Sequence, residues 1–333
     1  SKLLTSAEIK ANINSFESRK RESLRNGKLR GIGLCYYIEA ILGEQKETTT
    51  IEFTENGYFN LYVGTQSNGQ GHETVFSQIL HQKTGIPFEK INIIQGDSDL
   101  IPRGGGTGGS RSVTMQGNSI NSTSDILIRK LKKIAEKELS ALPGQIAFED
   151  GYFLVSETNR KTHIMDLALK LNQAGHADSL KITHENTVSG RSYPYGVHFA
   201  EVEVDKETGL TQCVKYTVVD DFGILMNPML VEGQIHGGVA QGIGQALKEN
   251  VVFDATGQLL SGSFMDYSMP RATDIPSISF HTELIPSTAN EIGMKGCGEA
   301  GTVGALAAVT NACLDAVWSI GVRQIDMPVT PFS

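Results

Sequence analysis

The chain has 333 residues, 39% of them apolar and 20% charged, and a formal net charge of −8. That composition fits a globular protein of one or two domains with a sizeable core, and its acidic balance argues against nucleic acid, whose phosphates need a basic face. Cys35, Cys213, Cys297 and Cys313 stand far apart, with no C-x-x-C pair and no histidine at zinc-ligand spacing, so neither a disulfide framework nor a side-chain metal site is expected.

The N-terminal residues lack the basic-then-apolar order of a signal peptide, and no apolar run reads as long enough to span a bilayer. A cytoplasmic chain with no membrane partner is expected. Residues 6–26 read as one charged surface helix, with Ser6 as cap, Ile9, Ile13 and Phe16 as its apolar positions and Gly27 as its stop. Residues 31–40 and 48–63 are rich in β-branched and aromatic side chains and break at Glu55-Asn56-Gly57, which predicts strands with a hairpin. The polar run 65–74 leads into an amphipathic stretch on Val75, Ile79 and Leu80, in strand, loop, helix order. Residues 91–95 read as a strand and 96–111 as a loop with five glycines between Arg103 and Ser110, before a helix over 125–142. A hairpin around Asp150-Gly151, a helix over 164–173 and a strand pair over 197–204 and 210–219 follow. Residues 233–247 predict a glycine-rich helix and 300–320 an apolar one on Val303, Leu306, Val309, Leu314, Val317 and Trp318. The irregular alternation predicts an α+β fold with two mixed subdomains dividing near residues 145–195.

Three stretches could carry chemistry. Asn68-Gly69-Gln70-Gly71-His72 opens a helix, so its backbone N–H groups could cradle an anion while Gln70 and His72 add hydrogen bonds; an ordinary glycine turn reads equally well. Residues 103–112, R-G-G-G-T-G-G-S-R-S, combine glycines, three hydroxyls and two arginines, enough to fold around phosphate oxygens. Gly104, Gly106 and Gly109 formally satisfy G-x-G-x-x-G, but no buried strand precedes them and no crossover unit follows, so a dinucleotide fold is not indicated; no Gly-Lys-Ser/Thr ends the loop either. In the third, E-I-G-M-K-G-C-G-E-A-G over 291–301, Glu299 stands just before the last helix. The macrodipole there favours the ionised carboxylate and burial the neutral one, a balance suited to a general base; a capping Glu is the plainer alternative. The glycines around Gln234 allow either a close ligand or close helix packing, and Asp221 and Asn227 either touch a ligand or shape a turn.

The order and spacing of these stretches resemble the C-terminal half of the molybdenum-binding subunit of the xanthine dehydrogenase, aldehyde oxidase and carbon monoxide dehydrogenase family. The likeness is carried by G-Q-G-H-E-T (69–74), G-T-G-G-S-R-S (106–112), Y-P-Y-G-V-H-F-A-E-V-E-V-D (193–205), N-P-M-L-V-E-G-Q-I-H-G-G (227–238), D-Y-S-M-P (266–270) and K-G-C-G-E-A-G (295–301), and so runs over nearly the whole chain. It implies a molybdenum-cofactor-binding domain of the xanthine oxidase type, in which the metal is held by the pterin dithiolene and not by side chains. Gly69, Gln70, Gly71, His72 and Thr74, the loop Thr107, Gly108, Gly109, Ser110, Arg111 and Ser112, and Gln234 would then meet the pterin or its pyrophosphate. Asp221, Asn227 and Lys295 would help hold the dinucleotide tail, with Gly296, Cys297 and Gly298 beside the cofactor. Glu299 matches the family's base, which takes the proton of the water-derived oxygen inserted into an electron-poor carbon.

The family's subunit is more than twice this long. The Ser1 start and the ending I-D-M-P-V-T-P-F-S look natural, which suggests a split subunit similar to the medium molybdopterin chain of the clostridial nicotinate dehydrogenases. The resemblance then implies molybdopterin cytosine dinucleotide with a terminal sulfur or selenium on molybdenum, and hydroxylation of an N-heteroaromatic, best matched by nicotinate to 6-hydroxynicotinate. It implies three partner chains: a second molybdopterin subunit carrying the family's N-terminal half, an iron–sulfur subunit with 2Fe–2S clusters, and an FAD subunit. Oxidation of a purine or an aldehyde, and a non-catalytic scaffold, are the alternatives; a phosphotransferase is disfavoured by the missing lysine motif.

Overall fold

The computed structural model describes residues 2–331. Ser1, Phe332 and Ser333, on which the expectation about the termini partly rests, lie outside the described residues. In chain order the elements are α1 (Lys2–Ala11), α2 (Phe16–Arg25), β1 (Lys28–Ile38), β2 (Lys46–Phe53), β3 (Phe59–Val63), α3 (His72–Thr84), β4 (Ile91–Ile94), α4 (Gly117–Glu138), β5 (Ile146–Glu149), β6 (Tyr152–Val155), β7 (Lys161–His163), α5 (Ile164–Gln173), β8 (Lys181–Thr187), β9 (Tyr195–Asp205), β10 (Thr211–Asp221), α6 (Pro228–Leu247), β11 (Ile278–Thr282) and α7 (Ala300–Trp318). The fold is α+β, as the irregular alternation predicts: sheets β1-β9-β10-β11, β4-β3-β2-β8 and β5-β6-β7, with helices packed on them.

Two main cores form. One gathers Ile51, Phe59, Leu61, Phe76, Leu80, Ile120 and Leu127 between the sheet β4-β3-β2-β8 and helices α3 and α4. The other packs Val202, Tyr216 and Val218 of the sheet β1-β9-β10-β11 against Ile235, Val239, Ala305 and Val309 of α6 and α7. The chain crosses between them near Gln45 and near Val188, where the Val188 N–H donates to the Gln45 carbonyl at 2.9 Å. The N-terminal strand β1 therefore belongs with the C-terminal half, a discontinuity that one dividing point does not express.

Local chemistry explains where elements begin and end. The single helix expected over 6–26 is two, because Asn12 takes a left-handed φ of 53° between them. Ser6 lies inside α1 and bonds Glu283 at 3.1 Å instead of capping. Helix α4 starts eight residues ahead of the expected 125, out of a π-helical turn at Ser112–Gln116. Its first turns are polar but buried: Thr123 and Ser124 return their hydroxyls to the carbonyls of Ser119 and Ile120, both at 2.7 Å, which apolar periodicity cannot register.

Glycine at two strand positions sets where α7 lies. A Cβ on Gly31 would come 2.1 Å from the Ala312 carbonyl oxygen, and one on Gly33 2.0 Å from that of Ala308. Strand side chains alternate faces, so both glycines meet the same helix, which answers with Ala308, Ala312 and Ala316 one turn apart. On its other side α7 touches α6, where a Cβ on Gly242 would sit 2.4 Å from the Ala305 Cβ; Gly233 and Gly237 face open space. Contrary to the expectation from the sequence, α7 with its 19 residues is long and apolar enough to cross a membrane by length and composition; half of it is buried, against β1, β9 and α6.

Candidate functional site

A cleft of about 510 Å³ is lined by residues from both cores, and helix N-termini converge on it. Helix α3 starts at His72, the π turn leading into α4 at Ser112, α6 behind Asn227 and α7 behind Glu299, and all of these residues line the cleft. The first N–H groups of each helix have no partner within it, and the macrodipole adds positive potential, so the cleft favours anionic groups. Phe222, Ile224, Leu225, Met226, Leu230 and Val231 make an apolar wall beside them.

The first glycine loop is shaped as a cradle. Gly69 and Gly71 have φ of 99° and 82°, and a Cβ on Gly69 would meet nothing, so its backbone is open to approach. The Asn68 N–H donates to Gln70 Oε1, which leaves the amide NH₂ as the group Gln70 can offer. His72 is 2% exposed and its Nδ1 has no hydrogen-bond partner. Burial holds its pKa down, so the ring is neutral with one nitrogen unused. Thr74 does not line the cleft although its α3 neighbours His72 and Val75 do, and Gly71 packs on Leu230.

In the second loop Gly106 and Gly108 are also open, and Thr107 ties the two loops by donating to the Gln66 carbonyl at 2.6 Å. Arg111 lines the cleft with the rest of the loop, but its guanidinium turns into the protein. It is 1% exposed, pairs with Glu47 at 2.6 Å, and donates to the carbonyls of Glu44, Lys46 and Gly106. Its fork is filled by the protein and braces the loop from behind.

In the third stretch, a Cβ on Gly296 would come 1.9 Å from the Ser110 carbonyl oxygen, so glycine lets this segment lie against the second loop. Lys295 pairs with Asp221 at 2.6 Å and lies over the Tyr195 ring at 4.5 Å. Asp221 is fully buried and accepts from the Gly223 and Ile285 N–H groups; it does not line the cleft, whereas its partner Lys295 does. Burial pushes the Cys297 thiol up to about 12, which makes it a neutral packing group. Asn227 caps α6 by accepting from the Leu230 N–H at 3.1 Å, and Gln234 follows two turns on at the cleft.

Glu299 is exposed at the head of α7, and its side chain does not cap the helix. Its Oε1 accepts the Gly109 N–H at 3.0 Å and its Oε2 meets the Ser110 hydroxyl. The same hydroxyl lies 2.8 Å from Glu39, whose pKa is raised to about 7, chiefly by burial, with Glu299 and Asp220 adding to it. Apart from Gly71, Thr74, Gly109 and Asp221, every residue expected at the site lines the cleft. Sequence reasoning missed Glu39 and the apolar wall; a lone acid ending an apolar strand was the available signal for Glu39.

An open glycine cradle, an orphaned buried histidine nitrogen and converging helix N-termini fit a phosphate-bearing heterocycle with hydrogen-bonding edges, the makeup of a pterin nucleotide. The fold and site thus define an α+β cofactor-binding protein. The model of the molybdopterin cofactor-binding domain matches residues 7–276, and the chain belongs to that family. It is 32% identical to the carbon monoxide dehydrogenase large chain of Hydrogenophaga pseudoflava and 32% identical to the nicotine 6-hydroxylase large subunit of Paenarthrobacter nicotinovorans, each over 95% of this chain. The chain spans 41% of the length of either relative. Quinoline 2-oxidoreductase from Pseudomonas putida 86 superposes with a TM-score of 0.90 at 30% identity, over 99% of this chain and 44% of that one.

Proposed function

We propose that this chain is the cofactor-holding, base-bearing half of a molybdenum hydroxylase that oxidises an electron-poor C–H bond of an N-heteroaromatic, with nicotinate as the substrate. The observation that carries the reading is the Glu299 carboxylate, presented at the mouth of the cofactor cleft by α7 and held by the Gly109 N–H and the Ser110 hydroxyl. The loops at 68–72 and 106–112, with Gln234 and Lys295, would hold the cofactor, a cytosine dinucleotide form in this proposal. When bound, that cofactor supplies the two-electron redox chemistry. Glu299 takes the proton of the oxygen nucleophile at its carboxylate, the two backbone loops orient the reacting group, and the apolar wall excludes water. Relatives whose names specify nicotine and quinoline support a heteroaromatic substrate.

A second molybdopterin chain, beside iron–sulfur and FAD chains, belongs to the same proposal. The segment at 251–269 fits that partner: Phe253, Phe264 and Met265 are 59%, 81% and 94% exposed on an arm with no helix and no sheet strand. The test is Glu299→Gln in the purified complex. Molybdenum and pterin content should be unchanged, while hydroxylation falls by about 10²- to 10⁴-fold; near-normal turnover would remove Glu299 from the chemistry.

A further inference from the structure

Three groups converge on the hydroxyl oxygen of Ser110: Glu39 Oε1 at 2.8 Å, Glu299 Oε2, and the Glu299 backbone N–H, whose nitrogen is 3.0 Å away. A hydroxyl has one proton to donate and two lone pairs with which to accept. The Glu299 N–H takes one lone pair. One donated proton and one lone pair are then left for two carboxyl groups, so Ser110 donates to one and accepts from the other. An ionised carboxylate has nothing to donate. A proton on one of the two carboxyls would complete both bonds.

Their surroundings decide which. Glu299 is exposed to solvent at a helix N-terminus, and its Oε1 already accepts the Gly109 N–H. Glu39 is half-buried beyond the end of β1, and its Oε2 is sealed from solvent without a hydrogen-bond partner, a setting that disfavours the ion. The titratable groups that face Glu39 are Tyr37 of β1, Asp220 of β10, and Cys297 and Glu299 ahead of α7; none of these brings a positive charge. Ser110 itself holds a left-handed φ of 55°, unusual for a residue with a side chain, and that backbone aims its hydroxyl between the two acids.

We propose that Glu39 and Glu299 hold one proton between them across Ser110, with Glu39 as its keeper; resting on the reading of Glu299 as the base, this makes Glu39 the positioning residue that keeps the base ionised. The rise of the Glu39 pKa to about 7 agrees with that placement and sets release of the proton near neutral pH.

Infrared spectra of the purified complex test it without turnover. The spectrum of the wild type should contain a protonated-carboxyl band that titrates near pH 7, absent from Glu39→Gln and retained in Glu299→Gln. A band that survives in Glu39→Gln and vanishes in Glu299→Gln would put the proton on Glu299 and overturn the inference. In turnover, Glu39→Ala should lower kcat/KM by about 10- to 100-fold. Glu39→Gln should lose less, because its amide N–H still donates to Ser110, and its pH profile should lack the inflection near 7. An unchanged inflection in Glu39→Gln would also overturn the inference. Normal turnover by Glu299→Gln would instead overturn the base and with it the positioning role, while the spectra still report where the proton sits.

Discussion

Arg111 and Glu47 meet almost out of reach of water, at 1% and 3% exposure, and Glu47 also accepts the Gly105 N–H at 2.8 Å. Removing one member of such a pair leaves a buried charge with no counterpart. Arg111→Leu should therefore destabilise the protein by about 3–5 kcal/mol and loosen the loop that it braces, seen as a lower unfolding midpoint and less bound molybdenum. Arg103, whose side chain is 62% exposed beside Glu44, is the control, and Arg103→Leu should cost no more than about 1 kcal/mol. Glu39 supplies a pH dependence with a definite sign. Its folded pKa, about 7, lies above the ordinary 4.5, so the folded chain binds the proton more tightly. The stability this contributes is fully present below about pH 4.5 and is lost as pH rises through about 7. Unfolding midpoints of wild type and Glu39→Gln, measured across that window, should diverge, with the variant the less sensitive to pH.

Helix α7 owes its place to contacts between backbones. Because the neighbour of Gly33 is the carbonyl oxygen of Ala308 and not a flexible side chain, nothing can give way cheaply when a methyl is added. Overpacking of this kind costs about 1–3 kcal/mol, and Gly33→Ala should fall at or above the upper end. The same shift would move Glu299 relative to Ser110, so turnover should drop by more than the loss of folded protein accounts for. Equal losses in folded fraction and in activity would show that the helix end is held by something other than β1.

The two cores meet around one cleft, and each contributes loops to it, so the proposed cofactor site depends on both being folded and docked. The exposed apolar side chains of the arm at 251–269 are the surface that the proposed partner would cover. This chain produced alone should carry little molybdenum, and limited proteolysis should cut it within 251–269. Co-production with the proposed second molybdopterin chain should restore the metal and protect the arm. Full metal loading of the isolated chain would contradict the proposed division of the site between two chains.

Periodicity and turn chemistry were enough to place most strands and helices, because a strand's alternation and a helix's 3.6-residue repeat are written locally in side-chain polarity. The helix over 164–173 forms with those bounds, while the polar start of α4 at Gly117 escapes the pattern because its buried hydroxyls bond within the helix. The glycine loops and Glu299 were legible for the same local reason, since glycine and a helix-heading acid each have few physical roles. The direction of a side chain was not. Arg111 turns inward, Asp221 pairs with Lys295, and Glu39 meets Glu299 across Ser110 over sequence separations of 71 and 189 residues. Those outcomes follow from which strands pair and how closely α7 can approach β1, and packing between distant segments leaves no periodic trace in the chain.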